Sequence, residues 1–350
     1  MKQQRSLLNK PLSITSGYAV VNIMGWARQP ITNVGYDSVW RARAIAHQFR
    51  LQCWVLQALL VVLPLVGRGQ GYTEGVSLNA DVLPLSIGGP DHASSFRAFS
   101  IRASVIVPFF LKKDKSQALL LGAGGEAVYF DGSRPGFEVK HLYAGAPVLG
   151  YTRQITQKLR LTGIFIPTLS ADYQQIKGSD VQYGGIVRGV YRVRPTLALR
   201  AALGYRQTFY GPIYIVLGGL DWQVSRKVRV FGDLPANLTG AWAATPKVNA
   251  GFDMAANFST YSLSVANEYV RYRTFLAGLF CEYYVRPQLA LRATVGYSII
   301  RNLEVYRRND RVTGGVLDFV NLGHSPTPIS PAISNGVVAR LTLSFRLPNP

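Results

Sequence analysis

Thiols and imidazoles are scarce in this chain. Two cysteines and four histidines occur in 350 residues. Cys53 falls in a segment that the sequence marks for removal, which leaves Cys281 alone. That excludes an intramolecular disulfide and any cysteine-built metal site. Charge is scarce too. Asp, Glu, Lys and Arg make up 16%, against about a quarter in soluble proteins. Acidic residues are the rarer sign, 18 against 38 basic ones, for a net charge of +20. No run of 18 or more apolar residues occurs, so no ordinary membrane-spanning helix is encoded. Yet 48% of the residues are hydrophobic, and something other than long helices has to accommodate them.

A basic chain raises nucleic acid as a partner. Here the basic residues are spread singly along the chain rather than clustered on a helix. Eight of them, with one acid, lie in residues 1–69. No nucleic acid is expected. Phosphates of outer-membrane lipid and lipopolysaccharide are the natural counter-charges.

Residues 51–66 form an apolar stretch of signal-peptide length, flanked by Arg41, Arg43 and Arg50 and broken by Pro64. Gly67 and Gly69 supply the small residues of a cleavage site, predicting removal after Gly69 and a mature chain of 70–350. A buried core helix is the competing reading. A lipoprotein is disfavoured because Cys53 stands at the start of the apolar run, not after it. The signal is therefore internal, at 41–69. Residues 1–40 read as a translation start placed too far upstream, with Met24 a candidate true start, or as an extended leader.

From Gly75 onward the dominant period is two, the signature of strands. In 99–109, Phe99, Ile101, Ala103, Val105, Val107 and Phe109 share one face, and Ser100, Arg102 and Ser104 the other. In 289–299, Leu289, Leu291, Ala293, Val295, Tyr297 and Ile299 oppose Arg292, Thr294, Gly296 and Ser298. The strands run to about 10–14 residues, longer than the usual 5–6, and carry arginine mid-strand on the polar face. A transmembrane barrel needs such a face on most strands; a soluble β-sandwich does not.

An internal repeat sets the hairpins. YRVRPTLALRAALGY at 191–205 and YYVRPQLALRATVGY at 283–297 share eleven of fifteen positions. Pro195 and Pro287 mark tight turns, since proline cannot donate to a ladder. Longer connections alternate with them: 87–95, 131–138, 171–180, 264–271 and 302–333. Tyr191 and Tyr283 at one end of these strands, and Tyr205 and Tyr297 at the other, predict two aromatic girdles. The expected fold is all-β, an antiparallel up-and-down transmembrane barrel of fourteen strands, with twelve as the alternative because the 228–244 hairpin is weak. An even number puts both termini on the periplasmic side.

On the stretch HLYAGAPVLGYTRQITQKLRLTGIFIPTLSADY at 141–173 and the later Tyr-x-Val-Arg-Pro hairpins, the chain resembles outer-membrane β-barrels of unknown function from the Bacteroidota. The resemblance covers roughly 95–347. It implies an envelope location and the barrel fold, and it transfers no catalytic residue; the barrel-assembly machinery is an expected partner of such a fold.

The chemistry-bearing residues are few. His92, His141 and His324 are read as surface polar groups; His324 beside Ser325 is no dyad by adjacency alone. Gly-Ala-Gly-Gly at 122–125 lacks the helix and final glycine of a phosphate loop. No catalytic residue, metal or cofactor is predicted. Glu126, Asp253 and Glu282 fall on the inward face together with Arg102, Arg160, Arg188, Arg200, Arg229, Arg292 and Arg340, and a charge inside a barrel must be paired or hydrated. In the 302–333 connection, Arg307, Arg308 and Arg311 predict a basic constriction at the mouth. A passive channel for small polar or anionic solutes is the leading functional expectation. A plugged structural or secretion-accessory barrel and a lipid-acting enzyme are the competing ones.

Overall fold

A computed structural model describes residues 72–86, 95–131, 139–264, 267–330, 333 and 335–348. The expected leader, the signal segment and His92 lie outside the described residues.

The alternating segments form strands because each must satisfy two environments at once. One set of side chains meets lipid and the other meets the interior, and only a closed ladder pairs every backbone group between them. The strands are β1 (Tyr72–Ser86), β2 (Ser95–Phe110), β3 (Gln117–Asp131), β4 (His141–Gln154), β5 (Leu159–Ala171), β6 (Val181–Arg194), β7 (Leu197–Gln207) and β8 (Pro212–Gln223). They continue as β9 (Val228–Leu234), β10 (Asn237–Thr245), β11 (Val248–Ser262), β12 (Glu268–Arg286) and β13 (Leu289–Arg307), and end with β16 (Gly336–Pro348). Each pairs antiparallel with its neighbour, and β16 returns to β1 through rungs such as Leu78↔Leu343 and Asp81↔Arg340. The result is a closed fourteen-strand barrel. The weak 228–244 hairpin is in the wall as β9–β10, so the twelve-strand alternative falls. The short strands β14 (Gly314–Val316) and β15 (Val320–Leu322) form a small hairpin within the β13–β16 connection.

The outer surface is an apolar belt. Leu121, Leu149, Phe165, Val187, Leu203, Val216, Leu279 and Val295 all project outward and are exposed. Exposed aromatic residues bound the belt. Tyr151, Tyr191, Trp222, Trp242 and Tyr283 stand near the tight turns, and Tyr183, Tyr205, Tyr214 and Tyr297 stand toward the other rim. This is the surface of a barrel spanning a bacterial outer membrane. Cys281 is exposed on β12, within this outer face.

The two repeated hairpins are built alike. Arg194↔Leu197 and Arg286↔Leu289 each close a two-residue turn, and each is followed by a register shift in the ladder. β1 begins and β16 ends on this tight-turn rim.

On the opposite rim, β12 and β13 are 19 residues long. β13 continues to Arg307, and β12 starts at Glu268, so the connections expected at 302–333 and 264–271 are shorter than the sequence indicated. Beyond the bilayer no lipid selects an apolar outward face. The period of two therefore fades at Asn302, although the strand goes on. Arg301, expected at the base of a loop, is instead buried in β13 and donates to the carbonyls of Pro84, Gly336 and Val337.

β9 and β10 are the shortest wall strands, at 7 and 9 residues. Above them the upper halves of β8 and β11 lack their sequence neighbours. β14 takes up the free edge of β8 through Gly315↔Ile213 and Val316↔Tyr214. The upper half of β11 leans inward until Ser262 forms a single parallel rung with Ala171 of β5.

Candidate functional site in the barrel lumen

The inward face carries carboxylates and arginines in three groups. In the first, Asp81 Oδ2 accepts from Arg102 (2.5 Å) and Asp81 Oδ1 from Arg340 (2.6 Å). In the second, Asp221 accepts from Arg200 (2.9 Å) and, through both oxygens, from Arg229 (2.8 and 2.7 Å), while Asp233 accepts from Arg188 (2.7 Å). In the third, Glu282 binds Arg292 (2.9 Å) and Arg346 (2.5 and 3.0 Å), and Asp253 accepts from Thr239 (2.7 Å) with Arg292 at 3.7 Å. Asp81–Arg340, Glu282–Arg292 and Thr239–Asp253 face one another across a rung, Asp81–Arg102, Asp221–Arg200 and Asp221–Arg229 are diagonal pairs on adjacent strands, and Asp233–Arg188 and Glu282–Arg346 reach past intervening strands. The barrel closure supplies the Asp81–Arg340 pair. A carboxylate facing a guanidinium fork removes two charges from the lumen at once.

Glu126 has a different part. It accepts from Asn257 (3.0 Å), Ser259 (2.9 Å) and Tyr261 (2.7 Å) on the leaning half of β11. Ser170 and Gln182 reach Thr260 from β5 and β6, and Arg206 reaches the Phe258 carbonyl. Glu126 thus ties two opposite walls together across the interior. Above it the space is dry: Leu83, Val128, Leu142, Val270, Tyr272 and Leu303 pack into one buried cluster. Among the described residues Arg160 has no carboxylate partner; its Nε donates to Gln154 near the tight-turn rim.

Among the described residues no three His, Cys, Asp or Glu side chains are grouped to hold a metal ion. His324 bonds Asp310 at 2.6 Å, and the adjacent Ser325 hydroxyl bonds Asn321 rather than the imidazole. Asp310 is held below the usual carboxylate range by His324 and by the Thr327 N–H. An exposed His–Asp pair without a nucleophile on the imidazole is a loop contact, not a relay.

With the closed wall and the paired interior established, comparison with known proteins is informative at the level of family. A family model described as Domain of unknown function (DUF6268) matches residues 97–311. The chain belongs to this family. No curated protein sequence matches it. Solved structures with some likeness include an outer-membrane channel from Pseudomonas putida F1 (8% identity, TM-score 0.39, covering 81% of this chain and 100% of that one). A TodX monoaromatic hydrocarbon channel variant gives 11% identity and TM-score 0.36, covering 81% and 91%. The NanC porin gives 9% and 0.33, covering 78% and 100%. The assignment of this DUF6268 chain to a membrane barrel rests on its closed ladder and apolar belt.

The outer mouth of the DUF6268 barrel is covered by the β13–β16 connection. Arg271 donates to Asp318 Oδ1 (2.7 Å) and to the Asp318 carbonyl, and its guanidinium lies 3.5 Å from the centre of the Tyr210 ring. Phe319 packs edge-on against Phe258 and Phe275. Tyr269 and Tyr306 stack, with Phe209, Tyr210 and Val312 closing the cluster. Gly211, at φ +138°, brings the β7–β8 turn against Val312, where a Cβ would stand 2.5 Å from the Val312 carbonyl.

The three loop arginines do not converge. Arg308 donates to Asp180 (3.0 Å) and Ser179, across the mouth. Arg311 donates to the Arg308 carbonyl, and Arg307 is exposed at the end of β13.

Sequence reasoning missed Asp81, Asp221 and Asp233 as interior charges. Asp81 sits opposite Arg340, already on the inward face, so extending the alternation along β1 finds it. Asp221 and Asp233 follow glycine pairs or a short strand, where alternation carries little signal.

Proposed function

We propose that the chain is a transport barrel of the outer membrane, held closed at its outer mouth in this conformation by the β13–β16 connection. The observation that carries the reading is the seating of that connection. It adds a strand to the free edge of β8, places Phe319 between β11 and β12, and buries the Arg271–Asp318 pair. Below it the interior is polar. Inward arginines outnumber inward carboxylates, but all except Arg160 in the expected set are paired, so the lumen supports small polar solutes with weak preference for anions rather than a strongly anion-selective pore.

Planar-bilayer recording tests this. The full chain should conduct little. A variant with 312–330 replaced by a short Gly-Ser link should conduct well, with slight anion preference. A second reading, a permanently plugged structural barrel, draws on the dry cluster around Leu142 and Tyr272. It predicts that the shortened variant stays as silent as the parent.

A further inference from the structure

Apart from the gap above the short β9–β10 hairpin, where the upper halves of β8 and β11 lack their neighbours, the wall loses paired rungs without a register shift at one junction in the middle of the membrane. Between β4 and β5, pairing runs from Tyr143↔Ala171 to Gly145↔Leu169 and resumes at Leu149↔Phe165. The register is the same on both sides of the gap, so no residue is inserted and this is not a bulge. Three rungs are missing, and the middle one sets Pro147 opposite Pro167. Each proline keeps its rung on its other side, Pro147 with Ala123 of β3 and Pro167 with Tyr183 of β6. The missing N–H groups therefore both point into the β4–β5 seam. Neither carbonyl there can receive a ladder bond from the opposite residue.

The seam lies where such a defect is most costly. Pro147 is four residues from Tyr143 toward one rim and four from Tyr151 toward the other, so it sits midway through the apolar belt. Unpaired backbone facing hydrocarbon is avoided in membrane barrels, and an outlier kept at such a place points to use rather than accident.

Both sides of the seam suit an apolar visitor. Outside, starting at the closing rung Leu149↔Phe165, an open apolar groove of about 690 Å³ runs between Leu149, Phe165, Val187 and Leu203. Its floor includes Gly163 and Gly185, and a Cβ at Gly163 would touch nothing within 4 Å. Inside, the residues behind the seam are Ala146, Val148, Ile166 and Thr168, with none charged. Gly124 and Ala144 beside them are small, and the stem of Arg206 lies over Gly184 while its guanidinium is held by the Phe258 carbonyl. Glu126, the nearest inward charge on β3, is occupied by β11.

We propose that the β4–β5 seam is a side opening through which an apolar molecule dissolved in the bilayer, an acyl chain in its simplest form, passes between the membrane and the lumen. The inference rests on the reading of the chain as a transport barrel and gives it a second, apolar class of cargo, which enters from the membrane instead of through the polar lumen axis. With the outer mouth covered, a lateral route reaches the lumen without moving the cover.

The test uses the full chain in phosphatidylcholine vesicles, in a Cys281→Ala background. Residues opposed in an antiparallel pair stand about 4.5–5.5 Å apart, within disulfide reach, so Pro147→Cys with Pro167→Cys stitches the seam shut. The probe is stearic acid bearing a mid-chain diazirine, with adducts mapped by mass spectrometry. In the parent and in the reduced double-cysteine protein, adducts are expected on the inward Val148, Ile166 and Thr168 as well as on the outward Leu149 and Phe165. Oxidation should abolish the inward adducts and spare the outward ones, and reduction should restore them. Pro147→Thr with Pro167→Thr, which returns both donors to the ladder, should also lose inward labelling if the disulfide does not form. Inward adducts that are absent from the parent, or that persist in both the oxidised and the threonine proteins, overturn the proposal. A barrel that conducts on removal of 312–330 but never labels inward loses the side opening alone. Inward labelling in a barrel that stays silent on that removal overturns the cover, not the seam.

Discussion

Arg271 of β12 and Asp318 of the β13–β16 connection form a buried ion pair at 2.7 Å, 47 positions apart in the chain. Among the described residues neither has a second oppositely charged group within 4 Å, although Arg273 also donates to the Asp318 carbonyl. Removing one partner of such a pair strands a buried charge, at a cost of about 3–5 kcal/mol.

Asp318→Ala should therefore release the connection while leaving the wall intact. The expected outcome is protease cleavage within 312–330 and a rise in bilayer conductance, with the heat-resistant barrel band on gels unchanged. Arg271→Ala should do the same. Full protection from protease in both variants would show that the aromatic cluster alone seats the connection.

Asp221 is the shared carboxylate for Arg200 and Arg229. Asp221→Asn leaves two guanidinium groups facing the lumen with one fewer negative charge between them. In the barrel lacking 312–330, the reversal potential in a salt gradient should move toward anions. The barrel itself should lose roughly 1–3 kcal/mol for the unsatisfied donors, read as a lower midpoint in urea. No shift in reversal potential would mean that the ions do not pass this group.

Asp180 governs the acid response of the mouth. Burial raises its pKa, but bonds from the Lys177 N–H, Ser262 and Arg308 outweigh this and leave it below the ordinary value. A depressed folded-state value contributes stability above the unfolded pKa, about 3.9, and the contribution is lost as pH falls through the folded value. The Asp180–Arg308 tie should thus hold at pH 5 to 7 and release only below about pH 4. Hydrogen exchange of segments 177–181 and 308–312 across that range checks it; release already at pH 6 would contradict the sign.

The parts of the fold that were readable from sequence are those in contact with lipid. A belt residue such as Leu291 or Val295 has one acceptable environment, and the alternation with Arg292 and Thr294 follows from it. The tight turns were readable because proline at 195 and 287 has few places to go. The top of the barrel was not. Asn302, Glu304 and Tyr306 lie beyond the bilayer, where both faces of β13 meet protein, so polarity no longer reports direction. The inward placement of Arg102 or Arg200 follows from alternation, but the identity of each partner does not. Asp221 meets Arg229 through the register of the tight β8–β9 hairpin, which sets Gln223 opposite Arg229, and Glu126 meets Tyr261 only because β11 leaves the wall. Pro147 and Pro167 each look ordinary alone; their opposition exists only once the β4–β5 register is fixed.

The return of β16 to β1 also has a kinetic meaning. The other antiparallel junctions of the wall join strands that follow one another around the chain, and the β1–β16 junction joins residues such as Val76 and Phe345 from its two ends. Closing a chain loop of that length costs conformational entropy that no local hairpin has to meet, and long-range pairing slows folding. The ring should therefore shut last, with the Asp81–Arg340 pair among the final contacts to form. Until then the nascent barrel is an open sheet with two sticky edges, and its survival depends on how long those edges stay apart from other chains.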